Sequence, residues 1–192
     1  MKKIDKKEEP AFYSKCIKQR KPTQWDDIAP IRADLRAHIW EEQKRCCAYT
    51  EVLLNLNKDN FHIDHYKTQN LYPQLTFDYS NLLVSCNSEK YGAKHKDKLI
   101  KGRKEYENLI NPVEESPSEY MEFTFTGHVE AVNSCRKGKE TIRLFNLNEK
   151  SLVERRKTAL SCFNMEGFTE EDLVQFVGEF ETMIRQLYHS MQ

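Results

Sequence analysis

The apolar positions fall in short runs of differing period, and each period predicts an element. Between residues 25 and 46, Ile31, Leu35, Ile39 and Trp40 recur at near helical spacing among Arg, Glu and Lys. That predicts an amphipathic helix with Pro30 in its first turn. Phe61-His-Ile-Asp-His65 alternates as a short strand does, and Asn81-Leu-Leu-Val-Ser-Cys86 is a second short apolar run. Between them, Asn70, Pro73, Asp78 and Ser80 predict turns over residues 67–80. Residues 88–106 are polar and lysine-rich, and are expected to be helical over part of their length. Met121-Glu-Phe-Thr-Phe-Thr126 and His128-Val-Glu-Ala-Val132 alternate on either side of Gly127, which is a hairpin pattern. Residues 141–160 predict helix in two pieces. Thr169-Glu-Glu-Asp172 is a capping box, and behind it Leu173, Phe176, Val177, Phe180, Ile184 and Leu187 form one helical stripe. Such a stripe packs on a core, or docks to a partner where an acidic terminal helix displays it.

Length and composition narrow the class. The chain has 192 residues, 39% of them hydrophobic, with 21 aromatic residues to build a core. That is a foldable composition for one domain, not a disordered one. Lys and Arg total 30 and Asp and Glu total 30, which excludes a uniformly basic nucleic-acid coat. The charge is uneven along the chain, however. Residues 90–104 hold seven Lys and Arg against Asp97 alone, and residues 163–192 hold six acidic residues against Arg185 alone. A basic middle can meet phosphate, and an acidic end avoids it. No apolar run reaches the ~20 residues a bilayer requires, and the charged start has no signal-peptide core. The expectation is a cytoplasmic protein with no membrane partner. Six cysteines are present and none forms a C-x-x-C pair, so buried free thiols are expected.

Three of the six histidines lie between residues 61 and 98, together with Asp64, Asn81, Asn87 and Asp97. Asp64 and His65 close the first predicted strand. Where strand alternation relaxes, a carboxylate can hold a hard divalent ion while the adjacent imidazole faces a water. A histidine with a pKa near neutrality can take a proton from that water. With the ion stabilising charge on a phosphate, these are the minimal parts of a phosphodiesterase. A polar residue stands at each junction of the order strand, loop, strand, helix: Asn81 opens the second run, and Asn87 and His95 flank the start of the basic segment.

The pieces His62-Ile-Asp64-His65-Tyr66, Phe77-Asp-Tyr-Ser-Asn81-Leu-Leu-Val-Ser-Cys86-Asn87 and Gly92-Ala-Lys-His95-Lys-Asp97 resemble the HNH endonuclease motif. Gln43-Lys-Arg-Cys46-Cys47-Ala-Tyr49, Tyr72-Pro73-Gln-Leu-Thr-Phe77, Leu109-Ile-Asn-Pro112 and Thr141-Ile-Arg-Leu-Phe-Asn-Leu-Asn148 look like the PtuB-type HNH proteins of Septu and retron-linked antiphage systems. The resemblance covers residues 10–160. It implies an α+β fold in which a ββα-metal core is embedded in flanking helices, with a C-terminal helical region. A basic segment (1–24) would precede the nuclease core (25–110), and a hairpin with helices (111–192) would complete the same compact unit.

The resemblance also implies roles. His65 would be the general base, Asp64 a metal ligand, and Asn81 the middle residue that ties the loop near His65. The third motif position counts to Lys90, which cannot ligate a metal while protonated. His95 and Asn87 are the alternatives, with Asp97 as an outlier. His62 shares a strand face with Asp64, either as an accessory ligand or phosphate contact or as a hydrogen-bonded strand residue. Lys90, Lys94, Lys96, Lys98, Lys101, Arg103 and Lys104 would contact the phosphates of a nucleic-acid substrate. Mg²⁺ or Mn²⁺ would be the metal. Partners implied are a PtuA-like ATPase and a retron reverse transcriptase with its RNA–DNA. Many proteins with this motif hold the core with two C-x-x-C pairs around zinc. Here Thr50 stands where the second cysteine is expected after Cys47, and Tyr91 stands near the place of a partner for Cys86. Structural zinc needs four ligands, so none is expected.

Overall fold

In the computed structural model, which describes residues 1–58, 60–164 and 167–191, the chain is a mixed α+β protein. Helix α1 (Ala11–Arg20) is followed by a 3₁₀ segment, Trp25–Ile31, and helix α2 (Arg32–Glu42). The single helix expected over 25–46 is therefore two elements. Pro30 explains the division: it has no N–H to donate, and its ring disfavours helical geometry in the residue before it. Leu35 and Ile39 of α2 are fully buried, as their spacing predicts.

Strand β1 (Phe61–His65) pairs antiparallel with β2 (Leu82–Cys86), and helix α3 (Ala93–Leu99) follows, so the order is ββα. The register sets Asp64 opposite Leu83 and His65 opposite Leu82. All five residues of β2 are buried. Its outer edge is capped by a side chain: the Gln43 amide accepts from Val84 N at 2.8 Å and donates to Val84 O at 3.0 Å, copying a strand neighbour. A buried edge peptide is thereby satisfied without a third strand.

The C-terminal part carries the expected hairpin, β3 (Met121–Phe123) and β4 (Val129–Ala131), then α4 (Arg136–Leu144) and α5 (Lys150–Leu160). Helix α4 begins earlier than the sequence pattern predicts. The apolar stripe behind Thr169 is not one helix. It divides into α6 (Glu170–Val177) and α7 (Glu181–His189) at Gly178, whose φ of 69° suits glycine, and Phe180 follows at φ 57°. The break turns Leu173, Phe180, Ile184 and Leu187 into the core and leaves Phe176 62% exposed.

Glu181, at the start of α7, is paired with Lys2 at 2.8 Å, Arg185 at 3.1 Å and Lys44 at 3.3 Å. Burial pushes its carboxyl up, but Lys2 and then Arg185 and Lys44 outweigh it and hold the pKa at about 2. The folded value lies below the ordinary one, so this cluster stabilises the fold above pH ~4.5 and the contribution is lost as pH falls toward 2. Glu181→Gln should therefore melt lower than the parent chain at pH 7, with the gap closing between pH 4.5 and 2. An unchanged gap across that window in a thermal-melt series would exclude the assignment.

Candidate active site

A cleft of about 640 Å³ opens at the end of β1. It is lined by His62, Asp64 and His65 from the strand, Gln69 from the loop after it, and Asp97 and Lys101 from α3 and beyond. The geometry around His65 defines a tautomer. Its Nε2 lies 2.9 Å from the carbonyl oxygen of Thr76, which can only accept, so Nε2 carries the proton. Nδ1 is left with its lone pair, which among the described residues meets the Gln69 amide at 3.3 Å. The Trp25 ring stands edge-on to the imidazole, with centroids 4.5 Å apart. Burial holds the His65 pKa below its ordinary value, against the raising effects of the Thr76 carbonyl and Asp64. A neutral imidazole, proton fixed on the far nitrogen and lone pair toward a cleft, has the form a general base requires.

Asn81 fixes the loop that supplies this carbonyl. Its Oδ1 accepts from Lys67 N at 2.8 Å, and its Nδ2 donates to Lys67 O at 3.0 Å and Leu75 O at 3.2 Å. Its backbone oxygen receives Tyr66 N. One buried side chain thus ties both sides of the loop over 67–81 and lies away from the cleft.

Asp64 is buried, and its Oδ2 accepts from the Tyr49 hydroxyl and from the Lys96 ammonium. Asp97 binds the same ammonium through Oδ1 at 3.1 Å and is partly open to the cleft. Desolvation raises the Asp97 pKa, partly offset by Lys96. Among the described residues, no group of three or more His, Cys, Asp or Glu side chains is arranged to enclose a metal. Two carboxylates beside an open cleft nevertheless suit a hard ion such as Mg²⁺, which keeps several waters and takes few protein ligands. The same pair does not suit zinc held by protein alone.

A search of curated proteins finds two relatives. One is the Septu protein PtuB of Bacillus mycoides (strain KBAB4), 26% identical over 136 residues, or 57% of this chain and 45% of the relative. The other is the Septu protein PtuB of Bacillus thuringiensis, 24% identical over 157 residues, or 78% of this chain and 54% of the relative. The chain is similar to the PtuB proteins of Septu. No protein-family model matches it. The chain spans about half the length of these PtuB relatives.

Against this PtuB-like background, the remaining candidates separate. The structure does not bring His95 into the cleft: its Nδ1 lies 2.9 Å from Leu144 O, facing α4. Asn87 lines a separate hollow, with its Oδ1 2.8 Å from His62 Nδ1, so it fixes the His62 ring. The helix residue that does reach the cleft is Asp97. Lys96 is not a surface phosphate contact. It is fully buried, because the phase of α3 turns it toward β1. Lys94 and Lys98 both pair with Glu89, Lys90 is exposed, and Arg103 donates to Leu71 O and stacks over Tyr72. Of these cations only Lys101 lines the cleft, and it continues into a second hollow with Arg103, Lys104 and Arg136.

Cys47 and Cys86 are both buried. Ser85 Oγ lies 3.6 Å from Cys47 Sγ. The influence of Cys47, then burial, pushes the Cys86 thiol up.

Tyr49, Thr76, Trp25 and Gln69 complete the site, and reasoning from sequence missed each of them as a site residue. A backbone carbonyl leaves no mark on a sequence, and neither does an aromatic contact made across 40 residues.

Proposed function

We propose that this chain is a metal-dependent HNH-type nuclease that hydrolyses phosphodiester bonds of nucleic acid and serves as the effector of a Septu antiphage system. The observation that carries the reading is His65: Thr76 fixes its proton on Nε2, and Nδ1 opens into a cleft shared with two carboxylates on a ββα unit. The name Septu protein PtuB on both relatives supports the defence role.

His65 Nδ1 takes the proton of the attacking water. Asn81 and Thr76 hold that imidazole in one orientation, and Trp25 limits its access to bulk water. Asp64 and Asp97 would hold a divalent ion, Mg²⁺ or Mn²⁺, which when bound supplies Lewis-acid stabilisation of the phosphate charge. Lys101 and the adjoining Arg103, Lys104 and Arg136 offer positive charge to the strand on one side of the cleft. A PtuA-like ATPase is the partner we assign. A retron reverse transcriptase with its RNA–DNA is a further partner suggested by the resemblance alone.

One observation favours a second reading, an HNH-fold scaffold bridging an ATPase to nucleic acid: a lysine ammonium already sits on Asp64. The two readings separate on the chain assembled with its ATPase, given Mg²⁺ or Mn²⁺ and offered duplex DNA, single-stranded DNA and tRNA. Cleavage of one of them supports the nuclease. Binding without cleavage, in a complex that still protects cells from phage, supports the scaffold.

A further inference from the structure

Lys96 is the fourth residue of α3 and has no exposed surface. Its ammonium donates to Tyr66 O at 2.8 Å, stands 3.1 Å from Asp97 Oδ1, and lies 3.4 Å from both Asp64 Oδ2 and His65 O. The rings of Tyr49, Tyr66 and Phe145 surround it at 5.6–5.9 Å. A lysine has three protons to donate, and here all are committed inside the protein. None is left for a substrate, and the side chain has no room to swing out. Lys96 therefore acts through the two carboxylates it touches.

We propose that Lys96 is a resident cation of the metal site, a positioning residue that orders the Asp64–Asp97 pair and sets its affinity for divalent ions low. The geometry gives both halves of the statement. Lys96 and Tyr49 together occupy Oδ2 of Asp64, so that carboxylate can offer a metal only Oδ1. Lys96 likewise takes Oδ1 of Asp97 and leaves Oδ2. Each carboxylate becomes a one-oxygen ligand in a fixed orientation. The pair carries two negative charges, and the ammonium cancels one of them at contact distance. A divalent ion entering the cleft meets one net negative charge instead of two, together with the repulsion of a fixed cation. Firm retention of the ion then depends on the negative charge that a nucleic-acid phosphate brings. Such a site is idle without substrate, although every residue is in place.

The proposal rests on the metal reading of the site given above, and its test separates the two. Binding of Mn²⁺ to the full chain is measured by the loss of the free-ion electron paramagnetic resonance signal, and melting temperature is followed with and without Mn²⁺. Lys96→Met keeps the length and apolar stem and removes the charge. It should bind Mn²⁺ about tenfold more tightly or better, since a unit charge is removed a few ångströms away in a partly desolvated site. It should melt lower than the parent chain without metal and recover in saturating Mn²⁺. Asp64→Asn with Lys96→Met removes both members of the pair. This double variant should fold without metal and lose the Mn²⁺ response. If Lys96→Met does not fold by itself, refolding in Mn²⁺ should rescue it, and failure of that rescue overturns the proposal. Equal or weaker Mn²⁺ affinity in a folded Lys96→Met chain also overturns it and leaves the metal reading intact. A parent chain and variant that both take up no Mn²⁺ would overturn both.

Discussion

Replacing His65 by alanine is expected to lower nucleic-acid cleavage by the assembled complex about 100- to 10,000-fold, the usual span for loss of a general base. The size follows from the geometry. Nδ1 is the unprotonated nitrogen that the Thr76 carbonyl leaves facing the cleft, and the nearest polar side chain, Gln69, has no basic atom to replace it. The substitution also leaves the Thr76 carbonyl without its donor, which costs about 1–2 kcal/mol of stability. The comparison therefore needs variant and parent chains at temperatures where both are folded, with equal recovery of the ATPase. Asp97→Asn is the companion variant. It should impair cleavage at low Mg²⁺ and be partly restored by raising the metal concentration, because it weakens a ligand and leaves the base untouched. A His65→Ala chain that cuts within about threefold of the parent rate, far short of the loss a missing general base produces, would remove His65 from the chemistry. Phage protection retained under the same conditions would shift the assignment to the scaffold reading.

Local pattern carried the strands and not the helix phase. β1 coincides with the alternating run that ends in Asp64-His65, and β2 with the apolar run after Asn81. Both are short, two-sided patterns that the chain keeps wherever it packs. Adjacent residues on one strand end cannot be far apart, so Asp64 and His65 were legible as a pair. Asn81 was legible too, because its role is local: it bonds across a loop of its own neighbourhood.

The residues on α3 were not legible in this way. An α-helix turns 100° per residue, so a shift of one position moves a side chain from the cleft to the core. The phase here is set by Gly92, at φ 80°, and by Ala93 packed beneath β2 with its N–H on Ser85 Oγ. That phase sends His95 toward α4, Lys96 into the core and Asp97 to the cleft. Nothing in the spacing of lysines announces which of them is buried, because burial of Lys96 depends on Asp64, a residue 32 positions away. The C-terminal stripe failed for a related reason. Its period continued through Gly178, but a glycine at a left-handed position ends a helix whatever the apolar spacing around it.

Arg156 gives the largest expected loss of stability outside the site. It has no exposed surface and no acidic partner in contact among the described residues. Its Nη1 donates to Leu147 O at 2.7 Å and Gly127 O at 3.1 Å, joining the turn after α4 to the β3–β4 loop. Nε and Nη2 find no protein acceptor among the described residues, and the guanidinium lies between Phe123 and Phe180. Burial lowers its pKa to about 10, so it is still charged at neutral pH. Two effects oppose each other on replacement. Removing the arginine relieves a desolvated charge, which favours the variant. It also strands two carbonyls at about 1–3 kcal/mol each, and truncation leaves a cavity. Arg156→Met fills the space, strands both carbonyls and relieves the desolvated charge, so the net cost should be about 1–3 kcal/mol in urea denaturation. Arg156→Ala adds the cavity and should cost about 3–5 kcal/mol, a large share of the ~5–15 kcal/mol that holds an ordinary domain folded. The difference between the two variants measures the packing of the stem alone. A methionine variant more stable than the parent would mean that desolvation outweighs the two carbonyl bonds, and the arginine would then need a reason other than holding the hairpin to α5.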